Sequence, residues 1–281
     1  MNQNVKTGYK SVCDIDVYYE FYPNQEADKT FVLLHGFLSS SFTFRHLISL
    51  LRNDFQILSV DLPPFGKSGK CRRFVYSYQN IARIVIKLTE SFGLNKMIFI
   101  GHSMGGQIVL NIIHMMPELA DKAILLCSSS YLRRAKMPLI LSSYIPFFHV
   151  CVKYWLSRTG VEKNLQETLY NHSIINDEMI KGYLEPFLQD DIFVALTRMI
   201  RHREGDLPST ILNKIKTPCL LIWGDHDKSM PLSVGEKLSR DLVNSELVVL
   251  KETGHALPEE RPREVYEYIK SFLKKSQSVA N

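Results

Sequence analysis

Gly101-His102-Ser103-Met104-Gly105 follows at once on the apolar run Met97-Ile98-Phe99-Ile100 and leads into Gly106-Gln107, so a serine between glycines stands where a strand hands over to a helix. Four apolar residues in a row, without polar alternation, mark a strand covered on both faces. Glycines on either side let the chain turn tightly enough for Ser103 to project its Oγ at the carboxyl end of a sheet without side-chain clashes. The Met104 N–H then lies at a helix N-terminus, where partial positive charge meets an oxyanion. Residue frequencies alone produce a G-x-S-x-G in about one chain in twenty of this length, so the flanking strand and helix carry the reading. The plainer alternative is a strand-to-helix turn with a buried serine.

Outward from this turn, short β-branched or aromatic runs predict strands over residues 17–22, 31–34, 56–60, 97–100, 123–126, 220–223 and 247–250. Between them, Ile81, Ile84, Val85 and Leu88 recur at helical spacing and predict a helix over 78–92, with Gly93 at its C-cap. A second helix is expected over 107–116, stopped by Pro117, and a last one over 262–274. This alternation specifies an α/β fold: a mostly parallel central sheet flanked by helices. It fails between 129 and 216, where helix-like pieces rich in Tyr, Phe, Leu and Met show no convincing strand. We therefore expect a core built from residues 1–128 and 217–281, with 129–216 as a helical cap inserted before the last two strands.

With 281 residues, 45% hydrophobic and 22% charged, the chain suits one large folded domain with a substantial core. A net charge of +5, scattered along the chain, argues against nucleic acid as a partner. The tightest basic group, Arg133, Arg134 and Lys136, reads as a solvated loop or helix end. Five cysteines without a C-x-x-C pair suggest neither a disulfide framework nor a zinc site, and the polar N-terminus carries no export signal, so a cytoplasmic location is expected. Residues 137–156 are apolar and long enough for a membrane helix, but Pro138 and Pro146 would break it and His149 and Lys153 make one end polar. We read that segment as buried or pocket-lining, without stable membrane insertion.

A serine hydroxyl is a weak nucleophile at neutral pH and needs a histidine beside it and an acid to orient that histidine. His255, in Thr253-Gly254-His255-Ala256, follows the last strand and precedes the final helix, which puts it on a loop at the same sheet edge. His102 adjoins Ser103 and is expected to point elsewhere. Trp223-Gly224-Asp225-His226-Asp227 follows the penultimate strand and offers two carboxylates, Asp225 and Asp227, between which the residues alone do not choose. Leu34-His35-Gly36-Phe37 follows the 31–34 strand, where a second oxyanion donor belongs, and the Phe37 N–H is the candidate beside that of Met104. His35 itself reads as a loop-fixing hydrogen-bond donor.

Taken together, the HGF turn, DLPPFGKS (61–68), GHSMGG (101–106), WGDHD (223–227) and GHALPEERP (254–262) resemble the α/β-hydrolase superfamily over most of the chain outside the cap. The resemblance implies Ser103 as nucleophile, His255 as general base and, at the final Asp of a W-G-x-x-D pattern, Asp227 as the acid. Pro64 departs from relatives that often carry glycine at this point of the D-x-P turn. A serine nucleophile disfavours dehalogenase and epoxide-hydrolase chemistry, which uses aspartate on this fold. The expectation is a serine hydrolase of carboxylic esters or related acyl bonds, working through an acyl-enzyme on a small hydrophobic substrate, with no metal or organic cofactor. Aromatic residues of the cap, Tyr144, Phe147, Phe148, Tyr154, Trp155 and Phe193, suggest an apolar pocket. Two alternatives stand beside it: a carbon–carbon hydrolase of dienone acids, which Arg198 and Arg201 keep open and Ala256 weakens, and a regulatory protein that grips a small ligand and acts through a partner.

Overall fold

The computed structural model describes residues 5–275. Eight strands form one sheet: β1 (Lys6–Val12), β2 (Ile15–Tyr22), β3 (Thr30–Leu34), β4 (Gln56–Val60), β5 (Met97–His102), β6 (Ala120–Leu126), β7 (Cys219–Gly224) and β8 (Ser245–Leu250). Their spatial order is β1-β2-β4-β3-β5-β6-β7-β8. The pairs β1–β2 and β2–β4 are antiparallel, and all pairs from β4 to β8 are parallel. The seven strands expected from sequence are present. β1 is an addition, joined to β2 by a two-residue turn in which Cys13 and Asp14 both have positive φ, 52° and 61°. That backbone matches a tight hairpin turn but lacks the Asn-Gly or Asp-Gly signature by which such turns are recognised in sequence.

The apolar runs behave as their composition requires. Phe31 to Leu34 and Met97 to Ile100 have no accessible surface, so helices cover both faces of the central strands. The helices are α1 (Arg45–Leu51), α2 (Tyr78–Ser91), α3 (Met104–Met115), α4 (Met137–Ser142), α5 (Phe148–Thr159), α6 (Val161–Thr168), α7 (Asp177–Leu184), α8 (Asp191–His202), α9 (Ser209–Leu212), α10 (Leu232–Asp241), α11 (Leu257–Glu260) and α12 (Pro262–Lys275). α2 packs on α3, and α1 on α12. α2 starts with the Ser77 hydroxyl accepting from the Asn80 N–H and ends at Gly93, whose φ of 67° lets Leu94 N–H return to the Thr89 carbonyl. α3 starts three residues before the expected 107, which leaves Ser103 as its N-cap.

Between β6 and β7 the described chain is helical, α4 to α9, with short 3₁₀ turns and no strand. Pro138 sits in the first turn of α4, and Pro146 falls in the break between α4 and α5, so the apolar 137–156 stretch is two short helices. No helix of the described residues is long and apolar enough to cross a membrane. α8 drives Ile192, Phe193, Leu196 and Met199 into the main core, while Leu165 and Met179 make a small separate cluster with Ala256, next to His255.

Candidate functional site

Ser103 occupies φ 52°, ψ −119°, a conformation that non-glycine residues rarely adopt. The neighbouring glycines make that turn possible in a specific way. A Cβ on Gly105 would fall 2.0 Å from the Leu34 carbonyl oxygen, and one on Gly101 would fall 2.5 Å from the Gly105 carbonyl oxygen. Both obstacles are backbone, so neither can move aside. The turn is fastened to the sheet by the Ser103 N–H donating to the Leu126 carbonyl at 3.0 Å and the Ser129 N–H donating to the Ser103 carbonyl at 2.9 Å. The serine is half-buried, on the wall of a cavity.

The loops after β7 and β8 bring the acid and the histidine together. His255 Nδ1 lies 2.7 Å from Asp227 Oδ2, and the Asp227 carboxylate is wholly buried. Its other oxygen accepts from the N–H groups of Ser229 and Met230, both at 2.8 Å, which fixes the plane of the carboxylate. Burial by itself pushes the Asp227 carboxyl up, but the hydrogen bond and charge of His255 and the Met230 N–H outweigh it and hold the group below the ordinary aspartate value. Asp225 turns elsewhere: its Oδ1 lies 2.7 Å from His226 Nδ1 and accepts from the Thr253 N–H at 3.4 Å. The geometry thus separates the two carboxylates that sequence left open.

Between Ser103 and the His255 ring there is no side-chain hydrogen bond; the two are linked through their neighbours. His102, the residue before the serine, has its ring 5.0 Å from that of His255 and its Nε2 2.9 Å from the His255 carbonyl, so Nε2 carries the proton and donates. His102, expected to point elsewhere, has its ring turned to the histidine loop, whose backbone it supports. Its Nδ1 is buried without a partner, and burial, followed by the His255 charge, lowers its pKa to about 3.

His35 fastens the loop on the other side of the serine. Its Nδ1 lies 2.8 Å from the Gly36 carbonyl, and its Nε2 accepts from the Leu62 N–H at 2.8 Å, which sets the Nδ1–H tautomer. Burial lowers its pKa, so it stays neutral. Gly36 leaves room here, since a Cβ would meet the Ser103 Cβ at 3.2 Å. The N–H groups of Phe37 and Met104 donate to no described residue.

Two supports escaped the sequence. Glu260 accepts from the Gly254 N–H at 2.7 Å and from the Tyr170 and Asn171 N–H groups at 2.8 and 3.0 Å, and the His255 N–H donates to the Thr168 carbonyl at 2.7 Å. The end of α6 thus clamps the histidine loop, a long-range tie with no local signature. Cys127 is the second. Its Sγ, Asp227 and His255 are the one group among the described residues whose potential metal ligands lie within 4.8 Å of one another. Burial, then the Asp227 charge, pushes the Cys127 thiol well up, so it stands as a thiol beside the Asp227–His255 pair.

The cavity beside Ser103 measures about 700 Å³, and its wall includes Phe37, Met104, Phe148, Trp155, Leu196 and Met199. Of the six aromatic residues expected to form a pocket, Phe148 and Trp155 line it, whereas Phe193 is core and Tyr144, Phe147 and Tyr154 face outward. Arg198 and Arg201 are absent from the wall, and Arg201 is engaged by the Ser143 hydroxyl at 2.9 Å and stacks on Tyr144. Arg203 is the one charged side chain lining it among the described residues.

The sequence model of the alpha/beta hydrolase fold family matches residues 29–262. An uncharacterized hydrolase of Bacillus subtilis (strain 168), YugF, is 48% identical over 264 residues, 94% of this chain and 96% of that one. Among solved structures, a thermophilic esterase from Thermogutta terrifontis superposes with a TM-score of 0.78 at 20% identity, covering 96% of this chain and 98% of the other. A meta-cleavage product hydrolase from Pseudomonas fluorescens IP01 superposes with a TM-score of 0.77 at 17% identity, covering 96% and 98%. At those identities the two structures speak for the fold alone.

Proposed function

The chain belongs to the α/β-hydrolase fold family, and from that premise we propose that it is a serine hydrolase cleaving a carboxylic ester or related acyl bond. Ser103 Oγ attacks the carbonyl carbon while His255 Nε2 takes its proton. Asp227 holds the imidazole through Nδ1 and stabilises its charged form. The free N–H groups of Phe37 and Met104 receive the oxyanion, where loss of one such donor costs about 3 kcal/mol. The protonated His255 then gives its proton to the departing alcohol, leaving an acyl-enzyme on Ser103. Water, deprotonated by the same histidine, releases the acid.

The observation that carries this reading is the 2.7 Å contact of His255 with the buried Asp227 beside a serine held at φ 52° on its turn. The apolar cavity supports an acyl or aromatic group as the part of the substrate bound, and we assign residues 129–216 as a cap that supplies most of its outer wall. Five free thiols, two of them exposed, favour a reducing, cytoplasmic setting. Arg203 is the single feature that favours the carbon–carbon hydrolase reading, as a partner for a substrate carboxylate. A panel of aryl esters of rising acyl length tests the assignment, with Ser103→Ala as control. Serine-dependent turnover with a length optimum is expected. Equal inactivity of the two proteins across the panel contradicts ester hydrolysis.

A further inference from the structure

Helices α4 and α5 and the turn joining them put Leu141, Tyr144, Ile145, Phe147, Val150 and Tyr154 into solvent, each between 52% and 75% exposed. Soluble monomers rarely leave so many large apolar side chains along one short segment, and where they do the surface has a partner. Phe147, the most exposed of the six, sits at φ 62° at the start of α5, a left-handed conformation uncommon for a bulky residue. The fold therefore keeps a strained backbone at the apex where an aromatic side chain points outward.

Charge indicates what covers this surface. From residue 131 to 161 the chain holds Arg133, Arg134, Lys136, Lys153 and Arg158 and no aspartate or glutamate, and all five cations are exposed. The acidic side chains that reach them from neighbouring elements are few: Asp190 pairs with Lys153 at 2.6 Å, and Asp191 is turned to Arg72. Apolar and aromatic residues flanked along the chain by cations are the composition of a segment that lies in the headgroup layer of an anionic bilayer, where each nearby Lys or Arg adds attraction. The cavity makes the location functional, because Leu139, Phe148, Cys151 and Trp155 of the same two helices line the space that reaches Ser103.

We infer that the α4–α5 tip docks peripherally on an anionic phospholipid surface, setting the mouth of the cavity against the lipid so that an apolar substrate passes from bilayer to Ser103 without crossing water. The docking itself does not depend on hydrolysis, so it can fail or stand separately from the esterase reading.

Co-sedimentation of the full chain with vesicles tests it, using phosphatidylcholine alone or with about one part in three phosphatidylglycerol. Wild type is expected in the pellet with the anionic vesicles, less with the neutral ones, and less again at high salt. The variant Ile145→Ser/Phe147→Ser, whose side chains lie outside the cavity wall, is expected to lose about tenfold or more in partition, while keeping its turnover of a short soluble ester. Arg133→Glu/Lys136→Glu should abolish the preference for anionic lipid. Ser103→Ala should bind as wild type. Absence of wild type from the anionic pellet, or equal binding by the Ile145/Phe147 variant, overturns the inference. So does a wild-type dimer in sedimentation velocity that this variant dissolves without any vesicle binding, which would make the occupant a second copy of the chain.

Discussion

The sheet-end loops and the helical stretch between β6 and β7 are built on opposite terms. At the sheet edge, Asp227 and His255 are buried, each polar atom of the Asp227 carboxylate has a partner, and glycines fix the backbone against main-chain neighbours. Among the described residues of α4, α5 and the turn between them, only Ile140 and Ser143 are buried, and the apolar side chains look outward or into the cavity. On the proposed mechanism the difference is a division of labour: the core would hold the reacting groups in place, and the helical stretch would choose what is brought to them. Substitutions in the first region should therefore strike the chemical step, and those in the second the choice of substrate.

The largest effect expected is from Ser103→Ala, a fall in kcat for any turned-over ester of about 10⁵ or more, with an unchanged melting temperature; steady-state kinetics and thermal unfolding check both halves. Next comes Asp227→Asn, which leaves the histidine in the wrong tautomer and should lower kcat by about 10⁴. Asp225→Asn, by contrast, should cost less than about tenfold, because Asp225 meets His226 and Thr253 and not His255. Equal losses in the two would break the separation of carboxylates. Trp155→Ala, in the second region, should raise KM for long acyl chains by about tenfold while leaving kcat for an acetyl ester within about twofold.

The smallest expected effect is on stability and concerns His102. Its native pKa is lowered to about 3, below that of the unfolded chain, so on acidification the unfolded state takes up a proton first. Stability is full above the ordinary histidine value and is lost as pH falls towards 3, with a slope of up to about 1.4 kcal/mol per pH unit. His102→Gln, which keeps a donor for the His255 carbonyl, should show a shallower loss between about pH 6 and about pH 4 in denaturant unfolding. An unchanged slope would mean that another group carries the acid sensitivity.

Much of the fold was legible because local chemistry dictates it. Unbroken apolar runs announced the buried strands, and Gly93 announced the end of α2. β1 was not, because its exposed residues outnumber its buried ones and its turn uses Cys13-Asp14 at positive φ in place of a glycine. At the site, the Ser103 turn could be read since glycine, serine and glycine act within five residues. Asp225 and Asp227 could not be told apart by physics alone, because the direction of a carboxylate depends on where β8 and its loop return 28 residues later. Glu260, clamping Gly254 to Tyr170 and Asn171, was invisible for the same reason. The outward turn of Tyr144, Phe147 and Tyr154 was hidden too, since an amphipathic spacing does not say whether its apolar face meets protein or a second surface.

The central claim is that the Ser103 hydroxyl is made reactive by His255 and Asp227. Incubation with a fluorophosphonate, followed by mass spectrometry of the digested protein, tests it without knowledge of the natural substrate. The account predicts a single covalent adduct on Ser103, formed rapidly in wild type and slowed by about 10³ or more in His255→Ala and in Asp227→Asn. A folded wild-type protein that carries no adduct at Ser103, or one labelled equally fast with and without His255, would contradict it.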